Sequence, residues 1–456
     1  TLLLNMLDLQ KRKNFEIAAV CDNYDPHYQR AIETTGGKAS AYRDYRRMLE
    51  EEELDGVIIA TPLHKHAHIA IDSMKAGLHV YCEKAMARYL DDVREMYNTH
   101  INENRILQIG HQRLFSPVYL QAMEQLRRKE LGNITMMKAW WHRNTDWVFY
   151  DNTGGRGTAL DRRLNWRLYE KSSAGMITEL GSHHFQVANW VMGAQPESVM
   201  GSGSINFWDD GREVYDNLAL IFTYPGGIHL SYDCNSANKH NGMQFQVMGH
   251  KGTMELETNK QFEEDPPPPP AIRTLLHNIE QDLFESIPIG GATWVPAEPV
   301  EHGGQFISDE WEMNETQLCL EGFLDFIRKG NAPEQLTTEG YNASIWSLLA
   351  EQAAEKGRAN SQALLRKTNQ EDSRRKRVLR VQGGRHPAGP RQCIPPRHTD
   401  AHLREHHHHR HDHHRADRGG RRGDLYSAFR LHARQNRRVD PQQQAQHGET
   451  EERRAA

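Results

Sequence analysis

The chain has 456 residues, 37% of them hydrophobic, and a formal net charge of -5 with histidine neutral. That length allows about three domains, the charge balance gives no reason to expect nucleic acid, and no apolar run is long enough to span a bilayer. The five cysteines, Cys21, Cys82, Cys234, Cys319 and Cys393, are scattered and odd in number, with no CxxC pair. They form neither a zinc motif nor a disulfide framework, which fits a reducing, cytoplasmic compartment. A targeting signal ahead of Thr1 would change that assignment.

Thr1 to Leu9 is apolar and predicts a helix. Phe15 to Cys21 (FEIAAVC) predicts a buried strand that Asp22 ends. Asp22 has two readings. It is either the acid that binds the adenosine ribose hydroxyls and repels a 2′-phosphate, selecting NAD over NADP, or a solvated strand-end carboxylate. Asp25 to Thr35 predicts a helix, and Tyr42 to Glu53 a charged, solvated one.

Leu54 to Ala87 reads as strand, helix, strand. Val57 to Ala60 is an unbroken apolar run, as in a strand buried on both faces of a parallel sheet. Thr61-Pro62 ends it, since proline cannot continue a central ladder. His66 to Lys75 carries Ala67, Ala70, Ile71 and Met74 on one helical face, with Gly77 placed as a cap. Leu78 to Cys82 is the second strand, with Glu83-Lys84 at its carboxyl end. Ligands bind at the carboxyl ends of parallel strands, so Ala60-Thr61-Pro62 and Glu83-Lys84 mark one candidate site.

These residues carry a resemblance. TP-x-x-x-H, ending in His66, followed by AG-x-H-V-x-C-E-K is similar to the dehydrogenase family named for glucose–fructose oxidoreductase, inositol dehydrogenase and a rhizopine-catabolism protein. The resemblance runs from Thr1 to about Arg358. It implies an incomplete Rossmann dinucleotide-binding domain over 1–130, lacking its first strand and Gly-rich loop. A substrate domain with a large, mostly antiparallel sheet follows over 131–358. The family signature is Glu-Lys-Pro; here Ala85 replaces the proline that would stiffen the chain. The resemblance implies NAD as cofactor, held by Asp22, Ala60, Thr61, Pro62, His66, Glu83, Lys84, Gln112 and Arg113. His111-Gln112-Arg113 matches the family segment near the nicotinamide, with a surface salt bridge as the plainer reading of Arg113. A homo-oligomer is also implied.

Leu90 to Asn104 predicts a helix, Ile106 to Gly110 a buried strand, and Pro117 to Lys129 a helix. From Gly132 the pattern turns to strands: Asn133–His142, Val199–Asn206, Asn217–Thr223, Ile228–Cys234, Met243–Met248 and Thr253–Glu257. Pro266 to Pro270 reads as a stiff extended segment. Glu315–Arg328 and Thr338–Lys356 close the globular part as helices.

Within Asn165 to Trp190, Glu179 and His183 are four apart and so fall on one helical face. They align with the family motif Asp-x-Gly-x-His-x-x-Asp, with Glu179 and Gln186 at the acid positions. Alcohol oxidation needs a base for the hydroxyl proton, for which histidine is suited. It also needs a positive donor for the developing alkoxide. By resemblance His183 is the base, Lys84 the donor, and Glu179 the group that steadies the imidazole. No metal is required, and alternate residues such as His64, His66 and His68 do not converge on one. Trp166 and Arg167 suit a sugar substrate by stacking and hydrogen bonding, or serve as core and salt bridge.

Residues 366–456 are poor in aliphatics and rich in Arg, His, Gln and Pro, with HHHHRHDHH at His406 to His414. Such composition predicts disorder. It reads as a metal-binding tail or, preferably, as out-of-frame translation. The function implied is hydride transfer between NAD and a secondary alcohol of a sugar, cyclitol or sugar derivative. The alternatives are a redox-neutral, NAD-dependent glycosidase of the same fold and a non-catalytic sugar sensor. The partner is a small sugar or polyol, with no nucleic acid and no membrane.

Overall fold

The computed structural model describes residues 2–150, 153–264, 304–310, 312–356, 360–361 and 425–431. Chain order begins α1 (Leu2–Gln10), β1 (Phe15–Cys21), α2 (Asp25–Thr34), β2 (Ser40–Tyr42), α3 (Tyr45–Glu51) and β3 (Gly56–Ala60). It continues with α4 (His66–Lys75), β4 (His79–Cys82), α5 (Leu90–Asn102), β5 (Leu107–Ile109) and α6 (Pro117–Arg127). This alternation of strand and helix builds a sheet that is parallel except at one position. Val57, Ile59, Val80 and Cys82 lie at its centre, each almost fully buried, as double-sided coverage requires.

The second half runs β6 (Ile134–His142), α7 (Ala159–Leu164), α8 (Ser182–Met192), β7 (Ser198–Ser204), β8 (Asn217–Tyr224), β9 (Ile228–Asn235), β10 (Met243–Gly249), β11 (Gly252–Glu255) and β12 (Lys260–Glu263). It ends with β13 (Gln305–Phe306), α9 (Glu315–Lys329), α10 (Gln335–Lys356) and β14 (Asn360–Ser361). Its nine described strands form one sheet in the order β13-β12-β11-β10-β6-β9-β8-β7-β14. Every neighbouring pair is antiparallel except β6 with β9. Strand β8 alternates buried Leu218, Leu220 and Phe222 with exposed Ala219 and Ile221, the mark of a sheet packed on one face. Helices α8 and α10 cover that face, with Trp346 of α10 fully buried against Phe222. Helix α9 returns to the first half, where Leu320, Phe323 and Leu324 pack with Leu2, Met6 and Leu9 of α1.

The segment Pro266–Pro270 lies outside the described residues. One part of the tail, Leu425–Leu431, does not, and for these seven residues the structure differs from the expected disorder. Leu425–Leu431 forms a strand, β15, between β1 and β3, antiparallel to both. The physical reason is local: Ala428 and Phe429 are buried, and the Phe429 ring lies edge-on to Phe15 and Phe323 at 6.0 Å from each. A short segment with a buried face and ladder partners on both sides is stabilised by its cross-strand neighbours. No helix among the described residues is long and apolar enough to cross a membrane.

Candidate functional site

The carboxyl ends of β1, β3, β4 and β5 present Asp22, Thr61-Pro62, Glu83-Lys84 and Gly110-His111 in one row, as the parallel register requires. Asp22 is buried, and its carboxylate accepts from the Tyr24 amide at 2.8 Å with His27 at 3.7 Å. The backbone of β4 stays in register to its end, where the Glu83 amide donates to Ile59 O at 2.9 Å.

The loop after β4 is anchored by polar contacts. The Met86 amide donates to Ser344 Oγ at 2.8 Å. Arg88 makes a two-pronged ion pair with Glu351 on α10, 2.8 Å at each prong, and donates to Glu170 O at 2.6 Å. The His66 ring reaches the Ala85 carbonyl with Nδ1 at 2.9 Å and the Thr61 carbonyl with Nε2 at 2.8 Å. The Lys84–Ala85 peptide bond is cis. Lys84 is buried, and its Nζ donates to Glu179 O at 2.5 Å.

Glu179 lies in a π turn, Ile177–Gly181, that runs directly into α8. Such turns recur at functional sites. Its Oε2 accepts from Arg167 Nε at 2.9 Å and its Oε1 from Ser173 Oγ at 3.4 Å. Burial pushes the carboxyl pKa up, but Arg167 and Lys84 outweigh it and hold Glu179 below its ordinary value. The expectation places Glu179 beside the imidazole of His183; the contacts it makes here are to Arg167, Ser173 and, through its carbonyl, Lys84. A buried carboxylate binds a guanidinium in preference to a neutral ring, so Glu179 orders Arg167 and, through its carbonyl, Lys84.

His183 and His184 are neighbours with opposite surroundings. The His183 ring sits edge-on to His111 at 5.9 Å and beside Trp141 at 5.7 Å. Burial, with Lys84 and Arg113 adding repulsion, holds its pKa well below the usual histidine value. His184 is fully buried among Trp141, Tyr232 and Phe245. His111 is lowered to about 3 by burial first, then by Lys84 and Arg113. All three rings are therefore neutral near pH 7.

Arg113 is buried rather than at the surface. Its Nη2 pairs with Glu257, which also accepts from the Tyr119 hydroxyl at 2.6 Å. Burial works against the Arg113 charge, and Glu257 more than restores it. Gln112 begins the 3-10 turn Gln112–Phe115 and is half-buried. Trp166 is 6% exposed and packs with Leu63 and Ala85 beneath the Lys84 loop. The Arg167 guanidinium lies over its ring at 4.0 Å while holding Glu179. In the structure Trp166 packs as core and Arg167 forms a salt bridge with Glu179, while the Arg167 side chain remains partly exposed. Gln186 is buried beside Glu339 of α10. No group of three metal-ligating side chains occurs among the described residues.

Trp141 was not legible as a site residue. It stands at the end of β6 within 5.7 Å of His183, His184, Arg113 and Arg143, ring to ring or to guanidinium. The WW pair in a strand-rich stretch signals core packing as readily as a binding wall.

Residues 5–111 match the family described as an oxidoreductase family with an NAD-binding Rossmann fold. Residues 119–255 match the GFO/IDH/MocA C-terminal domain. The chain is 30% identical over 188 residues to the rhizopine catabolism protein MocA of Rhizobium meliloti, covering 40% of this chain and 50% of that protein. It is 22% identical to the levoglucosan dehydrogenase of Pseudarthrobacter phenanthrenivorans, covering 68% of this chain and 80% of that one. The fold is similar to that of the WlbA dehydrogenase from Chromobacterium violaceum, solved in complex with NADH and UDP-GlcNAcA. That match has a TM-score of 0.59 and 20% identity, covering 79% of this chain and 91% of the other. With an NAD-binding Rossmann half and the matching C-terminal half in order, this chain belongs to the GFO/IDH/MocA oxidoreductase family.

Proposed function

We propose that the chain is an NAD-dependent oxidoreductase acting on a secondary alcohol of a sugar, a cyclitol or a sugar derivative. The observation that carries this reading is the meeting of Lys84 and His183 at the carboxyl edge of the first sheet. The ammonium is held by Glu179 O at 2.5 Å, close enough that its charge lowers the pKa of His183.

Asp22, Ala60, Thr61 and Pro62 would hold the adenosine half of the cofactor, and Glu83, Lys84, Gln112 and Arg113 the nicotinamide half. The donor set fits: Thr61 Oγ1 and Arg113 Nη1 are buried without a hydrogen-bond partner among the described residues, and such groups favour a polar ligand. Bound NAD supplies the hydride acceptor for alcohol oxidation. The neutral His183 ring takes the hydroxyl proton, because burial keeps a lone pair available at pH 7. The Lys84 ammonium stabilises the alkoxide as charge develops on oxygen. Arg167 and Ser173 fix Glu179, and Glu179 fixes Lys84, so the ammonium needs little reorganisation.

The four described cysteines are free and buried, which suits a reducing cytoplasm. Assembly as a homo-oligomer through the open face of the second sheet, where Met200 and Ile221 are exposed, completes the proposal.

The test is a fluorescence titration with NAD and NADP, then a panel of sugars and cyclitols followed by the reduced-nicotinamide absorbance. NAD binding with sugar-dependent reduction, abolished by Lys84→Ala and by His183→Ala, supports the proposal. Binding without net reduction for any sugar favours the redox-neutral glycosidase. A folded protein that binds neither nucleotide overturns the cofactor assignment.

A further inference from the structure

His66 is 2% exposed and opens α4, yet nothing in the proposed chemistry uses it. Its ring stands between two strand ends. Nε2 lies 2.8 Å from the Thr61 carbonyl that follows β3, and Nδ1 lies 2.9 Å from the Ala85 carbonyl just past Lys84. Both nitrogens thus face backbone rather than a ligand, and because burial lowers the ring's pKa it donates to one of the two carbonyls, which in the Nδ1–H tautomer is that of Ala85.

The effect on Lys84 follows from what each anchor fixes. The Glu83 amide is tied to Ile59 O, which sets the chain on the near side of Lys84. On the far side, the Ala85 carbonyl and the Met86 amide belong to one peptide unit. In the Nδ1–H tautomer His66 donates to its oxygen at 2.9 Å, and Ser344 Oγ accepts from its nitrogen at 2.8 Å. A planar peptide pinned at both ends cannot rotate about its flanking bonds. Pinned at one end only, it is free to swing and to shift the Ala85 Cα, to which Lys84 is joined. Here Ala85 stands where a proline would restrict φ, so this plane is fixed by hydrogen bonds instead.

We infer that His66 is a positioning residue for Lys84, acting through the Ala85–Met86 peptide, and not a cofactor ligand. The inference rests on the proposed role of Lys84. It replaces the cofactor-binding assignment of His66 with a different physical task.

The experiment compares the full chain with His66→Ala and His66→Gln. Three readouts are taken: NAD affinity by fluorescence, kcat, and the rate of Lys84 acetylation by acetic anhydride, measured without substrate by peptide mass mapping. The expected result for His66→Ala is a change in Lys84 acetylation of at least threefold and a fall in kcat of about 10- to 100-fold. NAD affinity stays within about twofold, and free imidazole partly restores both altered readouts. His66→Gln, which keeps one donor, should lie between the parent and His66→Ala and serves if the alanine variant does not fold. Unchanged Lys84 acetylation with NAD affinity weakened tenfold or more overturns the inference in favour of a cofactor ligand. Unchanged values for all three overturn it outright. Because acetylation is read without turnover, a parent that oxidises no alcohol would refute the proposed function while leaving the effect of His66 on Lys84 measurable.

Discussion

The loop that carries Lys84 and the helix that carries His183 converge on one site, and they are held in opposite ways. The loop is fixed by single polar contacts: Ile59 to Glu83, His66 to Ala85, Ser344 to Met86 and Glu351 to Arg88. The helix is fixed by volume. His184 and Phe185 are buried to the last atom, and a Cβ on Gly181 would lie 2.7 Å from the Phe185 ring. Ala85, Met86 and Ala87 of the loop are buried as well, so the difference lies in what the polar contacts add. The loop should be more sensitive than the helix to loss of one polar partner.

Removing the reacting groups has the largest expected effect. Lys84→Ala and His183→Ala should each lower kcat/KM by about 100- to 10,000-fold, read by steady-state kinetics, with thermal unfolding little changed. Wild-type activity should also persist below the ordinary histidine range, since burial lowers the pKa of His183. An acid limb at the usual histidine value would contradict that placement.

Arg88→Met breaks a buried ion pair and leaves Glu351 without its cation. Such losses cost about 3–5 kcal/mol, and denaturant unfolding should report the effect on the loop side of the comparison. Gly181→Ala tests the helix side. The added methyl meets the Phe185 ring, and overpacking of this kind costs about 1–3 kcal/mol. A stability effect of Gly181→Ala larger than that of Arg88→Met would reverse the contrast between loop and helix.

The smallest expected effect is on Glu339 of α10. Burial pushes its carboxyl up to about 7 from an ordinary 4.5, with only the neighbouring Gln186 amide opposing. The folded state thus holds a proton that the unfolded state releases. Stability falls as pH rises from about 4.5 to 7 and stays reduced above that window. Glu339→Gln should remove its share of this dependence, leaving that of Glu351, which burial also pushes up to about 7, and add about 1–3 kcal/mol at pH 8. An unfolding curve as pH-dependent as the parent's would count against it.

The contrast also explains what was legible in the sequence. Strand Phe15–Cys21 and helix His66–Lys75 follow from apolar runs and helical spacing, because packing leaves a periodic trace. Lys84 and His183 were found through motif resemblance at the ends of predicted elements. Point contacts leave no such trace. Lys84 and Glu179 O are 95 residues apart, and the bond between them uses a backbone atom that any residue carries. The pairing of Glu179 with Arg167 depends on a π turn that spacing alone reads as ordinary helix. Strand Leu425–Leu431 was hidden by the polar composition around it and exists through partners far away in sequence.

The most direct test of the central claim follows the transferred hydrogen. For any panel sugar or cyclitol that turns over, the ring carbon bearing the hydroxyl is deuterated, and NAD is examined by mass spectrometry. The account predicts deuterium on the reduced nicotinamide, with no transfer in Lys84→Ala or His183→Ala. Reduction without deuterium on the cofactor, or transfer that survives both substitutions at the parent rate, would contradict it.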